Sequence, residues 1–380
     1  MDKALIDLIR ISNVVGRDST LIQGGGGNTS VKTLDGKYMY IKSSGTILKE
    51  MDAQKGWREL ELDPILSILK DRAVSKLDTI EREKVIVKRL NRSCVDGIRT
   101  SAPPSTESYM HAILDRFTVH LHPLAVGPYI CSRNGKAVLE KLFKDERQPL
   151  LWVPYAATGY MLAKKLSRFT SGYQKLYGQR PAAIFLQKHG MVATASTAKS
   201  VLQIVRKVIK LCKSKLKPQR KSRVKAAARD DVLAAKRAIK RAIAELMGVN
   251  IAIEHFEDND IAGFLARKDA QKLLRLLALF PQEISYANGP PMWLERGDYQ
   301  AVLDKLKQRK AKAGTLPAGF LIKDVGLFVL GSKKTIPTTK HLMTVSLLTR
   351  VWAEQFGGVN PLSKQQQEFV ETMYPFRFAL

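Results

Sequence analysis

The stretch AAIFLQKHGMVATAS, residues 182–196, constrains the fold more than any other. It reads as an apolar strand, a turn at His189-Gly190 and a second apolar strand, and from Thr197 the apolar spacing becomes helical. A hairpin that feeds a helix must bury its apolar faces against further strands and helices. The pattern recurs: FLQKHGMVATAS (185–196) and FLIKDVGLFVLGS (320–332) share Phe-Leu-x-Lys, then Gly, then Ser six residues after that Gly. On this alignment the second copy carries one extra residue, and each copy then enters a helix. Two readings stay open. The second is either a degenerate copy without the histidine, Asp324 and Val325 holding the turn, or a convergent strand–turn–strand pattern.

The remaining segments also predict an α/β chain. Residues 1–15 form an amphipathic helix, VKTLDGKYMYIKSSG a hairpin about Asp-Gly, residues 57–92 a charged helical stretch, and FTVHLHPLAV a strand ending at Pro123. Between 215 and 230 the composition shifts to Lys, Arg and Ala, which places a boundary there. The expected domains are residues 1–215 and 216–380. The second comprises a basic helical linker and a C-terminal α/β extension, with helices at 226–247 and 268–280 and strands near 283 and 319. With 380 residues, 45% of them hydrophobic, the chain supports one large domain or two of ordinary size. No window approaches 18 consecutive apolar residues, and MDKALIDLIRISNVV reads as a helix rather than a signal peptide. Cys94, Cys131 and Cys212 are far apart and odd in number, so no disulfide framework is expected and the cytoplasm is the default.

The net charge of +28 raises the question of nucleic acid. The excess is concentrated: residues 206–241 hold 15 basic and two acidic residues, a net +13. That block has no aromatic residue for base stacking. It reads as a solvated basic pair of helices, with a polyanion patch or a steering field for anionic substrates as alternatives; nucleic acid is not expected as the main partner.

His120 and His122, in HLH, lie two apart on a strand and so project from the same side. With His189 at the end of another strand, three imidazoles could converge on one ion, and zinc suits that donor type. On spacing alone a structural role for these histidines remains equally open.

Taken in order, GGNTS (26–30), KSSG (42–45), PSTES (104–108), HLH (120–122) and KHG (188–190) resemble the class II aldolase/adducin family, which includes fuculose- and rhamnulose-phosphate aldolases. The resemblance covers roughly residues 5–210. It implies a three-layer α/β/α fold with a central, largely antiparallel sheet. It further implies Zn2+, one per subunit, on His120, His122 and His189, and Glu107 as the catalytic carboxylate. Tyr155 falls where fuculose-phosphate aldolases carry a tyrosine that reaches a neighbouring subunit's site, and is the second expected catalytic residue. Gly27, Asn28, Ser44, Gly45, Ser105 and Thr106 would hold the substrate phosphate, and a homotetramer is expected. The implied reaction is reversible cleavage of a deoxyketose phosphate into dihydroxyacetone phosphate and an aldehyde. A metal-dependent sugar-phosphate 4-epimerase is the alternative enzyme, although those carry Asp at the Glu107 position. A non-catalytic adducin-like scaffold is the other alternative, with all three histidines against it. His111, one helical turn after Glu107, reads as packed rather than ligating.

The chain continues for 165 residues past residue 215. PPMWLERGDY and the later KDVGLFVLG are similar to the aldolase half of longer proteins in which an aldolase precedes a short-chain dehydrogenase. The glycine run gives G-G-G-G-N-T and so completes no GxGxxG dinucleotide fingerprint.

Overall fold

The computed structural model describes residues 1–96, 102–217, 227–313 and 316–373. The chain divides into two compact units, residues 1–130 with 136–215, and residues 131–135 with 216–380.

The first unit runs α1 (Lys3–Gly16), β1 (Asn28–Lys32), β2 (Tyr38–Lys42), β3 (Trp57–Glu61), α2 (Leu62–Lys70), α3 (Arg72–Lys76), α4 (Thr79–Arg92), α5 (Ser108–Ala112), β4 (Phe117–Leu121), α6 (Gly127–Ile130), α7 (Gly135–Leu142), β5 (Leu151–Val153), α8 (Tyr160–Tyr177), β6 (Ala183–Leu186), β7 (Gly190–Ala195) and α9 (Ala198–Lys215). Its sheet has the order β3-β2-β1-β4-β7-β6-β5 and is antiparallel at every pairing except β5–β6. Helices α1 and α9 cover one face. On the other, α2, α4, α5 and α8 close a core in which Met39, Ile41, Leu60, Ile184 and Val192 of the sheet meet Ile65, Ile86, Tyr109 and Leu166. This is the expected three-layer α/β architecture with a largely antiparallel sheet. In α9 the apolar stripe Val201, Val205, Val208, Ile209 and Cys212 is buried, while Arg206, Lys207, Lys210 and Lys213 are exposed.

The second unit runs α10 (Arg229–Met247), β8 (Ala252–Phe256), α11 (Asn259–Leu265), α12 (Ala270–Leu274), α13 (Pro281–Ala287), β9 (Met292–Leu294), α14 (Tyr299–Ala313), β10 (Gly319–Ile322), β11 (Gly326–Gly331), α15 (Ile336–Ala353) and α16 (Lys364–Met373). Its sheet has the order β8-β11-β10-β9. Helices α10 and α14 pack on one face through Ala235, Ile239, Ile243, Val302 and Leu306. Arg229, Lys236, Arg237, Lys240 and Arg241 of α10 face solvent, so the described part of the basic block is the solvated surface its composition predicts. Residues 218–226, the rest of that block, lie outside the described residues.

The second sheet repeats half of the first. The order β4-β7-β6-β5 recurs as β8-β11-β10-β9, with the same directions at each pairing. Both hairpins close on glycine, Leu186 opposite Gly190 and Ile322 opposite Gly326. Both turns carry a left-handed non-glycine residue two positions before that glycine, Lys188 (φ 57°) and Asp324 (φ 58°). Both feed an 18-residue helix, α9 and α15. This register removes the extra residue of the sequence alignment: Leu186 corresponds to Ile322 rather than Leu321, and Val325 alone stands in the place of His189.

Three local expectations change. Residues 57–61 are a strand, not the start of a helix, because Leu60 sits opposite Met39 and enters the core while Glu59 and Glu61 alternate away from it. The strand expected near 283 is helix α13, with Pro281 in its first turn and Asn288 as a left-handed cap. The helix expected over 268–280 shrinks to α12.

Candidate metal centre

Strand β4 is central, flanked by β1 and β7, and cross-strand partners project to the same side of a sheet. His120 lies opposite Asn28 on β1 and Val192 on β7; Thr118 lies opposite Ser30 and Thr194. Asn28, Ser30, Thr118 and His120 therefore share the face toward α5, the helix that follows Glu107 and carries His111. Thr29, one residue out of phase, turns to α1, where its hydroxyl meets Ser12 Oγ at 2.6 Å.

The three histidines expected as ligands come together. His120 Nε2 is 3.0 Å from His122 Nε2 and 3.3 Å from His189 Nε2. Tetrahedral zinc with Zn–N bonds of 2.0–2.1 Å would place two ligand nitrogens about 3.3 Å apart. His120 Nδ1 lies 3.0 Å from the Met191 carbonyl, a bond that requires the proton on Nδ1 and so turns the Nε2 lone pair inward. Burial pushes the His189 imidazole down to about 4 and the His122 imidazole well below its ordinary range, so both are neutral, as ligands must be, near pH 7. The candidate ligand nitrogens of the three imidazoles lie within 4.8 Å of one another. The donor set thus fits a divalent ion of the zinc type.

Two glycines allow this packing. A Cβ on Gly190 would lie 2.4 Å from the Leu121 carbonyl and 2.6 Å from His122 Cδ2. At Gly27 (φ 59°) it would lie 2.7 Å from the His120 carbonyl. The GGGG run is therefore the close-packed neighbour of the HLH strand end.

Glu107 is 8% exposed and faces the same cluster, with Oε1 3.3 Å from His189 Nε2 and Oε2 3.5 Å from His120 Nε2. Burial works against its charge, but the imidazoles of His120 and His189 and the Asn28 amide outweigh it and hold the carboxyl down at about 2. Asn28 Nδ2 donates to Glu107 Oε2 at 2.6 Å and to Ser105 Oγ at 3.2 Å. KSSG and PSTES are joined by the Ser43–Pro104 bridge, by Ser44 N to the Pro103 carbonyl at 2.7 Å, and by Ser105 N to the Lys42 carbonyl at 3.2 Å. This brings Ser44, Gly45, Ser105 and Thr106 into one loop cluster next to Asn28. Tyr155 lies on the loop after β5, where its backbone N–H donates to Gln187 Oε1 at 3.1 Å. Sequence reasoning passed over Lys42, whose buried Nζ donates to the Gly25 carbonyl at 2.8 Å. It also passed over Ser30, whose hydroxyl is 2.7 Å from His111 Nδ1. The strand alternation that puts Ser30 in phase with Asn28 was the available signal for the latter.

In the second unit the position of His120 is kept by His255, which lies opposite Phe328 as His120 lies opposite Val192. The positions of His122 and His189 hold Glu257 and Val325, and His255 Nε2 instead donates to the Val325 carbonyl at 2.8 Å.

No family model matches the chain. An uncharacterized oxidoreductase of Bacillus subtilis, YuxG, is 29% identical over 211 residues; the match takes in 53% of this chain, which spans only 28% of that relative's length. Among solved structures, similarity extends to the N-terminal class II aldolase domain of a conserved protein from Thermoplasma acidophilum (23% identity, 56% of this chain and 94% of that one, TM-score 0.47). It also extends to a sugar-phosphate aldolase from Thermotoga maritima (14%, 56% and 93%, TM-score 0.39). A third is an L-fuculose-1-phosphate aldolase from Thermus thermophilus (18%, 55% and 91%, TM-score 0.32). Over 56% of its length the chain is thus similar to a class II aldolase domain.

Proposed function

We propose that the chain is a metal-dependent aldolase of the class II type, which reversibly cleaves a sugar phosphate into dihydroxyacetone phosphate and an aldehyde. One observation carries this: a buried carboxylate, Glu107, faces three convergent imidazoles within 3.5 Å of two of them. His120, His122 and His189 would hold the ion. Zinc bound there supplies Lewis acidity toward the oxyanion charge that develops when a C–C bond breaks beside a carbonyl. Glu107, ionised at neutral pH, then moves a proton to or from the substrate carbon.

The loop cluster supplies neutral donors for a phosphate: the hydroxyls of Ser44, Ser105 and Thr106 and the backbone of Gly27 and Gly45. The two amide hydrogens of Asn28 are engaged by Glu107 and Ser105. Asn28 would meet a phosphate by giving up Ser105 while keeping Glu107. The buried Lys42 ammonium adds positive charge beside this loop. A Glu rather than an Asp at 107 favours the aldolase over the 4-epimerase reading. Zinc-loaded protein is mixed with dihydroxyacetone phosphate and a panel of short aldehydes, and ketose phosphates are sought. Product from at least one aldehyde is expected; none from any would turn the reading to the epimerase or to a scaffold.

A further inference from the structure

Ser30, His111, Asn28 and Glu107 form one buried line of hydrogen bonds. Ser30 Oγ meets His111 Nδ1 at 2.7 Å, His111 Nε2 meets Asn28 Oδ1, and Asn28 Nδ2 meets Glu107 Oε2 at 2.6 Å. Ser30 and His111 are 0% exposed, and Asn28 is 4%. The chemistry of the groups sets the direction of every bond. A carboxylate only accepts, so Asn28 must turn its NH2 to Glu107 and its oxygen to His111. That oxygen also only accepts, so His111 carries its proton on Nε2. His111 Nδ1 is then a bare acceptor, and the Ser30 hydroxyl donates to it. No other tautomer of His111 satisfies both neighbours.

The far end of the line is asymmetric. Glu107 Oε2 is pinned, whereas Oε1 is buried with no hydrogen-bond partner and lies 3.3 Å from His189 Nε2. We propose that His111 is a positioning residue that acts through Asn28 to fix Oε2 of Glu107 and leave Oε1 as the oxygen that carries the proton. This rests on the reading of Glu107 as the group that moves a proton. In the step, a substrate C–H bond breaks, its proton forms an O–H bond at Oε1, and its electron pair stays with the substrate. Oε2 is an acceptor before and after, so the Asn28 bond persists through the step and the carboxyl does not rotate away. Such pre-set orientation matters because small misplacements of a proton-transfer group are costly in rate.

The test uses the zinc-loaded full chain. Long-range proton–nitrogen NMR on the 15N-histidine-labelled protein should show His111 as the Nε2–H tautomer, and Ser30→Ala should loosen that preference. Exchange of the C3 proton of dihydroxyacetone phosphate with D2O, without an aldehyde, then reads the proton step alone. His111→Phe should lower kcat about 10- to 100-fold. KM should change less than kcat, because Ser44, Gly45, Ser105 and Thr106 do not depend on His111 and only Asn28 does, and bound zinc should be unchanged. His111→Gln, which restores an N–H for Asn28 Oδ1, should recover part of the loss. An Nδ1–H tautomer, or wild-type kcat in folded His111→Phe, overturns the proposal. A wild-type protein that exchanges no proton removes the proposed function and the role of Oε1 with it, while the tautomer still decides the hydrogen-bonded line separately.

Discussion

His120 and His255 stand at the same place in two different sheets, opposite Val192 and Phe328, each the third residue of the second hairpin strand. The first has two imidazole neighbours; the second has Glu257 and Val325 in their places and spends its Nε2 on the Val325 carbonyl. The second sheet keeps the strand position of the histidine without the two further imidazoles. One metal per chain is therefore expected, and His255→Ala should leave metal content at the wild-type value by elemental analysis. A drop of half would show that the second unit also binds.

Gly190→Ala tests the packing that lets the imidazoles converge. Its new methyl would meet the Leu121 carbonyl at 2.4 Å and His122 Cδ2 at 2.6 Å, backbone on one side and an imidazole ring on the other. Overpacking of this kind costs about 1–3 kcal/mol. The expected result is a lower denaturant midpoint together with weakened metal binding. The same change at Gly172, whose Cβ would meet nothing within 4 Å, should leave metal binding alone.

The second unit depends on a fully buried ion pair. Arg350 and Glu283 are both 0% exposed and 3.0 Å apart, and Arg350 also donates to the carbonyls of Leu273 and Leu277 at 3.0 and 3.1 Å. Removing one partner strands a buried charge, which costs about 3–5 kcal/mol. Glu283→Ala should lower stability by that order in chemical denaturation. Glu283→Leu combined with Arg350→Met should be milder than the single change.

Acid stability reports on His111. Burial, then the neighbouring His120, pushes its imidazole down to about 3 from 6.5. The folded state thus refuses a proton that the unfolded chain accepts. Stability from this group is level above about pH 6.5 and falls as pH drops from there toward 3, by about 1.4 kcal/mol per unit. In metal-free protein, His111→Gln should flatten the acid limb of the stability curve relative to wild type, as followed by unfolding between pH 7 and 4.

Much of this site was legible beforehand. The two histidines of HLH share a side because strands alternate, and His189 closes a turn whose glycine is printed in the sequence. The repeat was legible too, but not its register. Ile184, Phe185 and Leu186 are all buried, as are Phe320, Leu321 and Ile322, so neither strand alternates and no burial pattern in the sequence fixes the register between the two copies. The Ser30–His111 bond joins residues 81 apart, one on β1 and one on α5; strand alternation marks the side Ser30 faces, but no local pattern marks its partner. Residues 57–61 read as helix because charge surrounds Leu60, whose pairing with Met39 is decided by the sheet.

The measurement that bears most directly on the central claim is the zinc content of purified wild type and of His120→Ala combined with His122→Ala. The account predicts about one zinc per chain in wild type and none in the double variant, with folding retained. Stoichiometric zinc surviving the double change would contradict it.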